Sequence, residues 1–251
     1  FGLKNATEFP TFFMELILGI SICPLSYLSQ QEIQFGKTLT LGKQDNNLYG
    51  DIAGCNWALA NSQQKNIPKA EVFVNAKDGS EIIKHLGAKQ VLSLDASDYE
   101  ECDFVHDLNK PVSKTLYNQF DTIIDGGTLE HVFNIPQAIS NIRKMLKKGG
   151  HFIGLTTANN YLGHGFYQFS PEFVWRAYTA YGFEVLNVNL CAREEQPPRF
   201  HSIPDPDVVG RRLEIRTSPS RIDIMFTCKL INSKKPVAVQ QSDYSTKWKK
   251  T

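Results

Sequence analysis

Between Phe120 and Ile153 the chain reads FDTIIDGGTLEHVFNIPQAISNIRKMLKKGGHFI, and this order of apolar and turn residues leaves little freedom of fold. Thr122, Ile123 and Ile124 make a short β-branched run bounded by Asp121 in front and Asp125-Gly126-Gly127 behind, the pattern of an inner parallel strand. A helix is predicted next: Pro136 suits its first turn, Ile139, Ile142, Met145 and Leu146 recur on one face, and Gly149-Gly150 end it before a second apolar strand. Strand, turn, helix and strand in that succession form one βαβ unit. In open α/β sheets ligands bind beyond the carboxyl ends of the strands, so Asp125, Gly126, Gly127 and the following Thr128-Leu129-Glu130-His131 stand where chemistry is expected.

Bulk properties narrow the class. A chain of 251 residues can bury a full core, and its net charge of +1 advertises neither a nucleic-acid surface nor an anionic membrane as partner. The five cysteines, Cys23, Cys55, Cys102, Cys191 and Cys228, are scattered, odd in number and without a C-x-x-C pair. That usage points to a reducing compartment, the cytoplasm, and leads to the expectation of no metal site. The apolar run from Phe12 to Ile22 contains Glu15, lacks a basic cluster ahead of it and is too short to span a bilayer; it reads as a packing helix ended by Pro24.

The pairs and triplets of the central block carry a resemblance. Phe120-Asp121, Leu129-Glu130-His131 and Leu146-Lys147-Lys148-Gly149-Gly150 follow one another as in the fourth motif and next strand of class I S-adenosylmethionine-dependent methyltransferases, and the similarity is densest from about Val91 to Leu190. What the resemblance implies is an α/β, Rossmann-like doubly wound fold. Its mostly parallel seven-stranded sheet would carry helices on both faces, with the last strand antiparallel, and its cofactor would be S-adenosylmethionine.

On this reading residues 1–36 are an N-terminal helical extension, 37–231 the methyltransferase-like domain, with insertions at about 46–78 and 193–220, and 232–251 a polar, loosely held tail. Thr38 to Leu41 is the first strand, and the polar stretch from Asn46 to Asp78 reads either as one or two helices over the cofactor mouth or as a surface excursion without function. Ser80 caps a short helix carrying Ile82, Ile83 and Leu86, with Gly87 as its left-handed stop. Val91 to Leu94 and Asp103 to Asn109 give two further strands. Beyond the strand that closes the central block, Ser170-Pro171-Glu172 starts a helix that stops at Gly182, and Phe183 to Leu190 and Ile222 to Leu230 are the closing strands.

Candidate site residues follow from what a methyl donor needs. Asp95, with Ala96 beside it at the end of the second strand, is placed like the ribose-binding acid of dinucleotide folds, although Asp95-Ala96-Ser97 also reads as a helix cap. The resemblance assigns Asp107 to the adenine amino group and Leu108 to the apolar wall, against a plain turn formed with Asn109. Where the family carries a G-x-G-x-G loop, this chain has Leu41-Gly42-Lys43-Gln44-Asp45, so Gly42 and Gln44 are left to donate amides to the methionine end. Asp125, Gly126 and Gly127 would lie under the reactive methyl, where positioning matters more than any single side chain.

An acceptor hydroxyl or amine must lose a proton, and His164 and His131 are the candidate bases. His164 belongs to a segment bracketed by Gly163 and Gly165, in which Tyr161, Tyr167 and Gln168 join it as candidate substrate contacts; the alternative is a glycine turn whose aromatics cover the core. Arg199, Arg211, Arg212, Arg216 and Arg221 could recognise an anion, or be solvated or paired with nearby acids. The expected function is methyl transfer to a small polar molecule such as a sugar or other hydroxylated metabolite, with no nucleic acid and no membrane as partner and a homo-oligomer left open. Two rivals stand beside it: a catalytically inactive methyltransferase-like binding or regulatory subunit, favoured by the altered loop at Gly42, and a nicotinamide-dependent oxidoreductase, disfavoured by the missing G-x-G-x-x-G.

Overall fold

The computed structural model describes residues 19–195, 197–217, 219–231, 236–242 and 244. Its frame is a sheet of eight strands. In chain order these are β2 (Gly36–Leu41), β4 (Ala88–Asp95), β5 (Phe104–Val105), β6 (Phe120–Asp125), β7 (Leu146–Asn159), β8 (Phe183–Ala192), β9 (Phe200–Ser202) and β10 (Ile222–Leu230); β1 (Gly19–Ile20) and β3 (Asp45–Asn46) pair separately. The order across the sheet is β5-β4-β2-β6-β7-β10-β8-β9. Strands β5 through β7 are mutually parallel, and β10 runs antiparallel between β7 and β8. The expected seven strands with an antiparallel last one are therefore present, and Phe200–Ser202 adds an eighth by pairing antiparallel with β8.

Alternation along the strands sorts side chains into two cores, because successive residues point to opposite faces. Ile123, Phe152 and Phe226 join one core with Ile139, Ile142 and Met145 of α5 (Ile135–Met145). Ile124, Ile153 and Met225, their immediate neighbours in sequence, join the other. That second core is roofed by α1 (Ile22–Ser29), α2 (Ile52–Leu59), α3 (Ala70–Val74) and α4 (Gly79–His85), which supply Leu25 and Leu28, Ala58, Phe73, and Ile82 and Ile83. A short helical stretch, α6 (Pro171–Phe173) continued by a π turn through Tyr178, closes the first face, where Tyr178 stacks on Phe152 at 5.3 Å between ring centres.

Several boundaries differ from those the sequence suggests. The expected helix over Phe12 to Ile22 falls mostly outside the described residues; Gly19 and Ile20 form a strand, and Pro24 lies in the first turn of α1, where its missing N–H has no intrahelical partner to lose. Asp78, not Ser80, caps α4, accepting from the Glu81 amide at 2.9 Å, while Gly87 (φ +104°) is the left-handed stop. Helix α5 ends at Met145 because Leu146 is already extended. Leu146 pairs with Phe120 and His151 with Thr122, so residues 147–150 bulge from the sheet edge, turning at Gly149 (φ +83°). Asp121 fastens that bulge: its carboxylate accepts from Lys147 Nζ at 2.7 Å and from the Lys37 amide at 2.8 Å. The polar tail is not loose where it is described, since Ser242 donates through its amide and hydroxyl to Glu172 at 2.7 and 3.0 Å.

No helix among the described residues is long and apolar enough to cross a membrane.

Candidate active site

The carboxyl ends of β2, β4 and β6 bring most of the sequence-predicted site residues to one edge. A cleft of about 240 Å³ is lined by Leu94, Asp95, Ala96, His106, Asp107, Leu108, Asn109, Thr128, His131 and Val132. The four residues expected to hold ribose and adenine thus share one depression with His131. Asp95 keeps its oxygens largely available, with only a long 3.3 Å bond from the Ser97 amide to Oδ1. Asp107 is more committed. Its Oδ1 accepts from the Asn109 amide at 2.9 Å and side chain at 2.8 Å, and Lys110 stands 3.5 Å from Oδ2. Those Asn109 bonds, with Lys110 adding charge, hold its carboxyl below the usual range.

A second, smaller cavity of about 40 Å³ lies behind the turn that follows β6. Gln44, Gly126, Gly127, Glu130, Thr156, Thr157, His164, Arg193 and Asp223 line it from the sheet, and Gly19, Ile20, Pro24 and Leu28 close it from the N-terminal segment. This volume admits water-sized groups. None of residues 46–78 lines either space; of the helices in that stretch, α2 packs on α1 and α3 on α2.

The altered loop after β2 is turned inward. Gly42 takes φ +71°, but its amide donates to Leu94 O at 2.8 Å, and Gln44 Nε2 donates to Leu41 O at 3.2 Å. The Gly42 amide is therefore already in use, and one of the two side-chain N–H groups of Gln44 is engaged as well. Gln44 is 2% exposed and presses on Gly126 so closely that a Cβ there would come within 2.1 Å of its Oε1, so a larger residue at 126 would require the Gln44 side chain to move.

Asp125 also departs from its expected role. It is fully buried, lines neither space, and caps the following turn through Oδ1, which accepts from the Thr128 amide at 2.8 Å and the Leu129 amide at 3.3 Å. Its Oδ2 has no partner, and burial together with the nearby Glu130 carboxylate raises its pKa well above the ordinary value.

Among the predicted substrate contacts only His164 reaches the small cavity. Tyr161 is buried and donates its hydroxyl to Asp223, Tyr167 donates to Phe133 O at 2.8 Å, and Gln168 Oε1 accepts from the Tyr161 amide at 2.8 Å. These bonds tie all three into the loop, with Tyr161 buried, Tyr167 partly buried and Gln168 exposed. The loop is fastened to the turn after β6, for the carbonyl of Glu130 accepts the amides of Phe166 at 2.8 Å and Tyr167 at 3.2 Å. In consequence His164 Nε2 stands 3.7 Å from Glu130 Oε1, and the rings of His131 and His164 meet edge to face at 4.8 Å.

Glu130, Arg193 and Asp223 were not singled out from the sequence. Arg193 Nε donates to Asp223 Oδ2 at 3.0 Å; burial raises the Asp223 carboxyl above its usual range against the pull of that guanidinium. Glu130 sat in plain view inside the Leu129-Glu130-His131 triplet. Of the arginines proposed for anion recognition, Arg221 is paired with Glu194 at 2.7 Å and none lines the two spaces.

Comparison with known proteins supplies the last observation. Residues 80–154 match a family model described as a methyltransferase domain. No curated protein matches the chain. Among solved structures, the 1,6-didemethyltoxoflavin-N1-methyltransferase of Burkholderia thailandensis aligns at 11% identity over 84% of this chain and 78% of its own, with a TM-score of 0.46. An S-adenosylmethionine-dependent methyltransferase from Mesorhizobium loti aligns at 15% identity over 82% and 96%, TM-score 0.45. The N-methyltransferase NodS from Bradyrhizobium japonicum aligns at 13% over 84% and 86%, TM-score 0.46.

Proposed function

We propose that this chain, whose residues 80–154 match a methyltransferase domain, transfers the methyl group of S-adenosylmethionine to a small polar acceptor such as a sugar or other hydroxylated metabolite. The observation that carries this reading is the convergence of Asp95, Ala96, Asp107 and Leu108 on one cleft beside the turn at Thr128 to His131. A carboxylate at the end of β4 suits a vicinal diol, and Leu108 offers an apolar wall to a flat ring. On this reading the small cavity, lined by Gly126, Gly127 and His164, takes the reacting hydroxyl of the acceptor, and His164 receives its proton, with the ring of His131 edge to face against it at 4.8 Å. Donor and acceptor then meet at the turn of Gly126 and Gly127, where the Gln44 side chain must move aside to open the line that a displacement at carbon requires.

A rival reading has one specific observation in its favour. The inward Gln44 and the occupied Gly42 amide suit a domain that keeps the fold but no longer holds the donor, and serves as a binding or regulatory subunit. Calorimetric titration with S-adenosylmethionine and S-adenosylhomocysteine separates the two. Saturable binding of both, weakened at least about tenfold by Asp95→Ala through loss of hydrogen bonds to a charged acceptor, supports the enzyme. Absence of binding to the wild-type chain refutes it and leaves the subunit.

A further inference from the structure

Glu130 presents a buried carboxylate with little to compensate it. It is 1% exposed; Oε2 accepts one neutral hydrogen bond, from Thr156 Oγ at 2.7 Å, and Oε1 faces His164 Nε2 across 3.7 Å, beyond hydrogen-bond reach. A carboxylate removed from water in this way needs a cation or further donors. The 3.7 Å gap is itself informative, because two ligand atoms each about 2.1 Å from one metal ion stand about 3.4–3.6 Å apart at tetrahedral to trigonal angles. A third donor is at hand: ligand atoms of Glu130, His131 and His164 all lie within 4.8 Å of one another, with Glu130 buried, His164 partly buried and His131 exposed.

The backbone holds these donors together independently of any ion. Glu130 and His131 lie on one turn, His164 on a loop whose amides at Phe166 and Tyr167 are bonded to the Glu130 carbonyl, and Gly165 makes the approach possible, since a Cβ there would stand 2.8 Å from that carbonyl oxygen. The adjoining cavity of about 40 Å³ leaves room for the water or hydroxyl ligands that would complete a coordination sphere.

We propose that Glu130, His131 and His164 form a site for a divalent transition-metal cation, such as Zn²⁺, Mn²⁺ or Co²⁺, with open coordination positions toward the small cavity. Two imidazoles and one carboxylate suit such ions. The proposal deepens the methyl-transfer reading, because an acceptor hydroxyl entering the cavity would become a further ligand and lose its proton more readily. With the cation bound, both histidines act as ligands in place of the base role given above, and the acceptor's proton departs to solvent.

The test uses the chain without an added histidine tag, dialysed against chelator and titrated with CoCl₂, following visible absorption and then displacement by Zn²⁺. The expected result is one Co²⁺ per chain, with affinity lowered by about 100-fold or more in His131→Ala and in Glu130→Gln, beyond what loss of a supporting partner brings. Circular dichroism confirms that the variants fold, and the exposed position of His131 makes that variant the safer of the two. Lack of saturable binding at one ion per chain, or affinity unchanged in both variants, overturns the site. S-adenosylmethionine is titrated into the same samples: cation without donor binding refutes the methyltransferase reading alone, and donor without cation binding refutes the metal site alone.

Discussion

Gly165→Ala tests whether the loop carrying His164 is held by its closeness to the turn after β6. The added Cβ would lie 2.8 Å from Glu130 O and 3.2 Å from His131 Nδ1, and the first of these is backbone that cannot swing aside. The loop must lift, lengthening the bonds from the Phe166 and Tyr167 amides to Glu130 O, now 2.8 and 3.2 Å. Two such bonds contribute about 0.5–1.5 kcal/mol each, so the loss is about 1–3 kcal/mol, and it cannot exceed the free energy that holds the loop down. At about 2–4 °C per kcal/mol for a domain of this size, Tm falls by about 2–12 °C. His164 moves with the loop, so Co²⁺ affinity and methyl transfer fall while S-adenosylmethionine affinity, set on the other side of the turn, holds. Scanning calorimetry and parallel cobalt and donor titrations read the three quantities. A variant that melts like wild type and keeps its cobalt affinity would refute the claim that this contact places His164.

Three other changes probe separate links. Asp125→Asn removes a buried carboxyl whose folded pKa is raised above 3.8, so the native wild type holds a proton that the unfolded chain releases, and its stability falls as pH rises from about 4 toward the folded pKa; urea melts at acid and alkaline pH should show the variant's advantage growing with pH, and a constant difference would sink the argument. Gly154→Ala drives a Cβ to 2.3 Å from Phe226 Cζ, in a ring packed against Phe152 and Tyr178 at 5.7 and 5.0 Å between centres; urea denaturation should show a loss of about 2–3 kcal/mol, and a loss below about 1 kcal/mol would mean the ring can yield. Gln44→Gly empties the space beside Gly126 and is expected to tighten S-adenosylmethionine binding in calorimetry while lowering Tm; unchanged donor affinity would show that Gln44 does not compete for the donor's place.

The frame was legible because strand alternation and helix punctuation are local. Ile123 and Ile124 go to opposite cores as period two demands, and Asn134, Pro136 and the run to Met145 mark α5 without tertiary help. Misreadings came where context outweighs pattern. Pro24 looks like a helix stop, yet in the first turn it is harmless, and the prolines around Phe200–Ser202 hid an edge strand whose partner β8 does the organising. The cleft residues Asp95 and Asp107 could be named because Asp95 ends β4 and Asp107 lies in the turn just beyond β5. The encounter of Glu130 with His164 could not, since it depends on a loop folding back onto a turn some thirty residues earlier. Its only signal was the pair of glycines around His164, which allow that close return.

The position of β10 sets a schedule for making this protein. Strands β7 and β8 leave the ribosome first but do not touch; the strand that fills the space between them ends at Leu230. At about 5–20 residues per second, the interval from Ala192 to Leu230 lasts about 2–8 seconds, during which β7 offers an unpaired apolar edge to any other nascent chain. A ribosome that stalls in that interval, or a transcript cut short before the codon for Ile222, therefore leaves a half-built sheet whose unpaired edge is open to another copy of itself.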